Sequence, residues 1–162
     1  MRVTGLLSQR GYNIESLTVA RTLDPGISRM TISVEVDSAL RQQVIKQMNK
    51  LINVLQANDL TDSPSVFREL LLLRIHTSQE SRTAVLKEAE IFGGRVVDSF
   101  TEGFAIEVTG DPEKLNEFVD IMGSYGEIEV TRSGILAIGL EPKKLRLQPP
   151  VPTKELVTET RS

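Results

Sequence analysis

Apolar and polar positions along the chain change period several times, and each change marks an element. Val3, Leu6, Leu7 and Arg10 recur at helical spacing, and Gly11 stands where a helix-terminating glycine belongs. Asn13 to Ala20 then reads as a strand, with Leu17 and Val19 on one face and Ile14, Ser16 and Thr18 on the other. Asp24-Pro25-Gly26 is a strong turn signal. Met30, Ile32, Val34 and Val36 alternate with Thr31, Ser33 and Glu35, which predicts a strand buried on one face. Asp37 or Ser38 can cap the next helix, whose stripe is Leu40, Val44, Met48 and Leu51. Ile52 to Leu60 reads as extended.

Residues 61–65 are small, polar and turn-forming, and a domain boundary is expected there. Beyond it, Phe67 to His76 is a strand dense enough in leucine to be central and covered. Ser78 to Phe92 is a helix with Val85, Ala89 and Phe92 on one stripe, stopped by Gly93-Gly94. Strands follow at Arg95–Phe100 and Gly103–Thr109. Asp111-Pro112 sets a capping carboxylate before a proline at the first helical position, and Leu115, Phe118, Val119 and Met122 form that helix's stripe. Glu127–Thr131 and Ile135–Leu140 are extended. The order strand, helix, strand, strand, helix, strand is the ferredoxin-like βαββαβ pattern.

The first half repeats that order without its opening strand. The expected fold class is therefore α+β, with two tandem ferredoxin-like domains over residues 1–62 and 66–142. A tail over 143–162, with three prolines and no periodicity, is expected to be disordered. The opening strand of a ferredoxin-like sheet is an interior one. Its absence implies either that the protein starts further upstream or that a partner chain fills the place, because an open sheet interior leaves backbone groups unpaired.

Composition narrows the chemistry. The 162 residues are 40% hydrophobic and 25% charged, a globular balance. No apolar run is long enough for a membrane-spanning helix, and the start lacks the apolar core of a signal peptide, so a secreted protein is not expected. There is no Cys and a single His, which removes disulfides, thiolate nucleophiles and Cys- or His-rich metal sites. The net charge of -3, the lack of Trp and an aromatic content of 4% argue against nucleic-acid binding. His76, at a strand end, has no second His or Cys to form a dyad or ligand set. Glu107, Glu113 and Glu117 scatter over strand and helix faces, and Ser8, Ser16, Ser28 and Ser133 have no histidine near in sequence. No glycine-rich phosphate loop is present, and no catalytic constellation is expected.

One run is far more specific than this composition. Gly5-Leu6-Leu7-Ser8-Gln9-Arg10-Gly11-Tyr12-Asn13-Ile14-Glu15-Ser16-Leu17-Thr18-Val19-Ala20 closely resembles a segment of the small, regulatory subunit of acetohydroxyacid synthase (acetolactate synthase). Ser28–Ile32 and Gln47–Leu55 fit the same family, as do Arg68-Glu69-Leu70 and Leu73-Arg74-Ile75. Ile91–Asp98, Glu107–Lys114 and Glu129–Gly134 also resemble its motifs. The likeness covers nearly all of residues 3–140, in order.

The resemblance implies an ACT domain followed by a second ferredoxin-like domain, with no catalysis by this chain. It implies a partner, the catalytic large subunit that condenses 2-keto acids. Thiamine diphosphate, magnesium and FAD would belong to that subunit, and no cofactor is expected on this one. It implies stimulation of the large subunit, feedback inhibition by valine or a related branched-chain amino acid, and a homodimer of ACT domains with the effector at the interface. It also implies a cytoplasmic protein, or a plastid one in a photosynthetic eukaryote. Asn13 matches the family's effector-binding asparagine, Ile14 would offer backbone groups, and Gln43 matches a position linked to feedback sensitivity. An amide side chain carries both donor and acceptor, which suits a zwitterion. The family's first strand and its N-x-x-G loop have no counterpart here, so half of the effector pocket is missing. Two alternatives stay open: a stand-alone amino-acid-sensing module, and a truncated subunit that activates without valine control.

Overall fold

A computed structural model of the chain describes residues 2–140, and the tail predicted over 143–162 lies outside the described residues. The element order is α1 (Arg2–Gln9), β1 (Asn13–Arg21), β2 (Ser28–Glu35), α2 (Ser38–Asn49), β3 (Ser65–Thr77), α3 (Arg82–Ile91), β4 (Arg95–Phe100), β5 (Gly103–Gly110), α4 (Pro112–Gly123), β6 (Gly126–Arg132) and β7 (Leu136–Gly139). The chain forms two compact units. One runs up to Val66 and takes up the chain again from Ile138, and the other is Phe67–Ala137.

The second unit is a ferredoxin-like sheet in the order β4-β5-β3-β6, with β7 also pairing β3. Every ladder along that order is antiparallel. Its opening strand, β3, is interior, as the βαββαβ order requires. Alternation along β3 sends Leu71, Leu73 and Ile75 into the core, where they meet Phe104, Ile106 and Val108 of β5. Val85 and Ala89 of α3 and Leu115, Phe118 and Met122 of α4 close the same cluster. β3 is central but not covered on both faces, which corrects the expectation from its leucine density. Leu70 and Leu72 remain 39% and 44% exposed, because both helices pack on the face of their neighbours Leu71 and Leu73.

Two glycines let the flanking strands start hard against β3. A Cβ on Gly103 would lie 1.8 Å from the Ile75 carbonyl oxygen, and one on Gly126 would lie 1.9 Å from that of His76. The predicted cap of α4 forms: the Asp111 carboxylate accepts the Lys114 N–H at 2.9 Å. The one charged side chain buried in this unit is Glu69, and it is paired. Arg132 donates to it through Nε (2.9 Å) and Nη2 (2.8 Å), and through Nη1 to the Asn116 amide oxygen. This fork ties β3, β6 and α4 together.

The first unit is a two-stranded hairpin, β1 and β2, with α1 and α2. The Asp24-Pro25-Gly26 turn forms as predicted. The Asp24 carboxylate accepts the Gly26 N–H at 2.9 Å, and the Thr22 hydroxyl bonds across the loop to the Ile27 carbonyl. The predicted faces of β1 are altered by a register shift between Ile14 and Ser16. Ile14 pairs with Val34 and Leu17 with Ile32, and those partners are two residues apart in β2. The irregularity at Glu15 therefore brings Ile14 to the face of Leu17, not the opposite one. Asp37 stands at the cap of α2 without a side-chain cap bond.

Ile52 to Leu60 forms no strand, contrary to the extended element expected there. The second unit supplies the reason. Its last strand, β6, borders the order beside β3 alone. By the same topology, a last strand in the first unit pairs only with an opening strand, and among the described residues none precedes α1. The segment is held by side chains instead. Asn49 exchanges hydrogen bonds with the backbone of Ala57, and Arg41 pairs with Asp59 and Asp62. The core is correspondingly small, with Leu7, Val44 and Met48 buried and Val3, Leu6, Tyr12, Ile14, Ile32 and Val34 among those packed around them.

Removing Arg132 strands the Glu69 carboxylate in the core, so Arg132→Ala is expected to destabilise the second unit by about 3 kcal/mol. Arg74→Ala removes only the exposed Arg74–Glu129 pair, and is expected to cost under about 1 kcal/mol. Urea unfolding of the two variants checks the contrast.

Candidate effector site

The end of α1 builds the candidate site. Leu7, fully buried, anchors the helix, and Gly11 stops it with φ at 74°. The Gly11 N–H reaches the Ser8 carbonyl and the Tyr12 N–H the Leu7 carbonyl. The chain leaves that stop directly into β1. Tyr12 packs on the small core and Asn13, the first residue of β1, is exposed opposite Glu35. The Asn13 amide has no hydrogen-bond partner among the described residues, so its donor and acceptor face solvent at the end of the hairpin. Ile14 buries its side chain partly against the core. Its backbone sits at the register shift, where the ladder to β2 is interrupted.

Gln43 lies on α2 with its side chain exposed, one position before the core residue Val44. No hydrogen bond among the described residues joins it to Asn13. One turn further along, Gln47 has its amide oxygen buried without a partner. Sequence reasoning did not single out Gln47, nor the clamp made by Arg41 on the same helix. Their roles arise from chain segments folded over α2, and spacing carries no signal for that.

The clamp sets the local electrostatics. Arg41 Nε lies 2.7 Å from Asp59, and the Thr61 N–H and hydroxyl both donate to Asp59 Oδ1. Burial pushes the Asp59 carboxyl up, but the Thr61 bonds and the Arg41 guanidinium outweigh it and hold the group below its ordinary value.

Elsewhere the chemistry is sparse. His76 is half exposed, with Nδ1 3.9 Å from a Glu102 carboxylate oxygen and its ring edge-on to Phe100. Glu107, Glu113 and Glu117 are not gathered: Glu107 sits on β5, and the other two on α4. Among the described residues no group of three or more His, Asp or Glu could hold a metal ion, and no helix is long and apolar enough to cross a membrane.

Comparison with known proteins covers both halves. The profile described as "AHAS small subunit-like ACT domain" matches residues 1–56, and that described as "Small subunit of acetolactate synthase" matches residues 68–141. A protein of Archaeoglobus fulgidus named "Probable acetolactate synthase small subunit" is 47% identical over 143 residues, 88% of this chain and 89% of that one. The Escherichia coli "Acetolactate synthase isozyme 3 small subunit" is 40% identical over 146 residues, 90% of each chain.

The chain belongs to the acetolactate synthase small-subunit family.

The crystal structure of an acetolactate synthase small subunit from Thermotoga maritima superposes with a TM-score of 0.76 at 33% identity, over 87% of this chain and 88% of that one. The first unit is thus the family's ACT domain without an opening strand among the described residues, and the second is the ferredoxin-like domain that follows it. Both were expected from the motif order. The family places the chain in the regulation of branched-chain amino acid biosynthesis.

The depressed Asp59 pKa fixes the sign of a pH effect. Its stabilisation is complete above the ordinary aspartate value, near 3.8, and is lost as pH falls through the lower folded value. The stability difference between the unaltered chain and Asp59→Asn is therefore expected to be constant near neutrality and to shrink in acid, as read from urea midpoints across pH.

Proposed function

We propose that this chain is a non-catalytic regulatory subunit that binds a thiamine-diphosphate-dependent large subunit, raises its activity and makes it sensitive to valine or a related branched-chain amino acid. The observation that carries this reading is the pair of family matches, in order, over both halves of the chain. Thiamine diphosphate, magnesium and FAD belong to the large subunit in this reading, and this chain binds none of them. It acts as a homodimer through its ACT domains, with the effector at their interface.

Asn13 holds the zwitterion through its free amide, and the interrupted ladder at Ile14 leaves backbone groups for it. Gln43 tunes sensitivity from α2. The effector shifts the assembly only by its differential affinity for the active and inhibited arrangements. A second reading is favoured by one observation: among the described residues β2 is paired on the β1 side alone. On that reading the subunit activates but lacks valine control.

Acetolactate formation by the large subunit, measured alone, with this chain, and with this chain plus valine, tests both. Stimulation reversed by valine supports the first reading, stimulation indifferent to valine the second, and no stimulation overturns both. Asn13→Lys is expected to weaken inhibition by about tenfold in valine concentration, roughly one lost charge-assisted hydrogen bond, with stimulation retained. Equal loss of stimulation and inhibition removes Asn13 from the pocket.

A further inference from the structure

We propose that the tip of the β1–β2 hairpin docks on the catalytic large subunit, with Leu23 as its apolar anchor and Arg21 and Arg29 as its charged flanks. That partner comes from the regulatory-subunit reading, and the tip supplies a surface that meets it.

Leu23 is the most exposed large apolar side chain among the described residues. It is 105% exposed, where the others of this class lie between 39% and 66%. On a loose loop such a leucine would carry no information, since single apolar side chains at the surface are common. This loop is fixed. The Thr22 N–H donates to the Ile27 carbonyl at 2.9 Å, and the Ile27 N–H returns to the Asp24 carbonyl at 3.0 Å. The Thr22 hydroxyl bonds the Asp24 and Ile27 carbonyls and accepts the Asp24 N–H at 3.2 Å. The Asp24 carboxylate accepts the Gly26 N–H, and Pro25 between them has a fixed φ. The backbone on both sides of Leu23 is thus tied down while its side chain stands free. A partner that covers this leucine gains its burial without having to order the loop that carries it.

The flanks are basic. Arg21 pairs with Ser28 and Arg29 with Ala20, one position apart in the ladder, so the two arginines leave opposite faces of the hairpin. Both are exposed, and neither has an ion-pair partner within 4.0 Å among the described residues. The nearby Asp24 carboxylate is engaged within the loop. A second copy of the chain is a poor occupant, because two tips meeting about a two-fold axis would set four arginines together. The fitting surface is an apolar pocket rimmed by carboxylates, with the leucine desolvated at the centre and the arginines at the rim.

Binding of the full chain to the purified large subunit, by sedimentation velocity and by the chain concentration that half-saturates stimulation, tests this. Leu23→Asp is expected to weaken binding about tenfold or more, and Leu23→Met to leave it near that of the unaltered chain. Arg21→Glu with Arg29→Glu is expected to weaken binding and to flatten its dependence on salt. Ile91→Lys, an exposed apolar site on α3, is expected to behave as the unaltered chain. Binding of Leu23→Asp equal to that of the unaltered chain overturns the docking role and leaves the regulatory-subunit reading intact. A change in self-association of Leu23→Asp without the large subunit also overturns it, assigning the tip to a second copy. No binding by the unaltered chain overturns the regulatory-subunit reading and the docking role together.

Discussion

Both halves of this protein depend on one constraint, the pairing of the interior strand that opens a βαββαβ sheet. In the second unit β3 is that strand. It makes ladders on both sides, sends Leu71, Leu73 and Ile75 under two helices, and is tied by Glu69 to Arg132 on β6. Everything else packs on it. Gly103 and Gly126 exist in the form the sheet needs because β5 and β6 must start within contact of its backbone. In the first unit the interior place has no strand among the described residues. The hairpin, the lack of a strand over 52–60 and the small core all follow from that one difference.

The two units consequently use charge differently. In the second, a single arginine fork neutralises a buried carboxylate and braces strands against α4. In the first, Arg41 takes the part a ladder would have played, holding the 57–62 segment to α2 through carboxylates at the surface. An ion-pair clamp is a weaker and more solvent-exposed fastening than a row of strand hydrogen bonds. A regulatory domain gains from such fastening, since elements that must shift between two arrangements are drawn from the least stable parts of a fold.

The chain has no cysteine, and its one histidine is half exposed. At the end of the hairpin it has an exposed amide at Asn13 and an interrupted ladder at Ile14, the groups on which the proposed effector site rests. Membership of the acetolactate synthase small-subunit family gives that chemistry its setting.

Much of this was legible in the amino-acid sequence, because the signals were local. Helix stops at Gly11 and Gly93-Gly94, the cap at Asp111, the turn at Asp24-Pro25-Gly26 and the period of each stripe depend only on neighbours a few residues away. The order of those elements determined the two ferredoxin-like domains, and the run from Gly5 to Ala20 determined the family. What the tertiary structure decided was non-local. Whether Ile52–Leu60 becomes a strand depends on a partner strand, not on its own residues. Whether Leu70 and Leu72 are buried depends on which face of β3 the helices choose. The face of Ile14 depends on a register shift against β2, and the Arg41 and Arg132 clamps join residues that only folding brings within reach. Periodicity states which side chains share a face, and only the assembled sheet states what, if anything, lies against it.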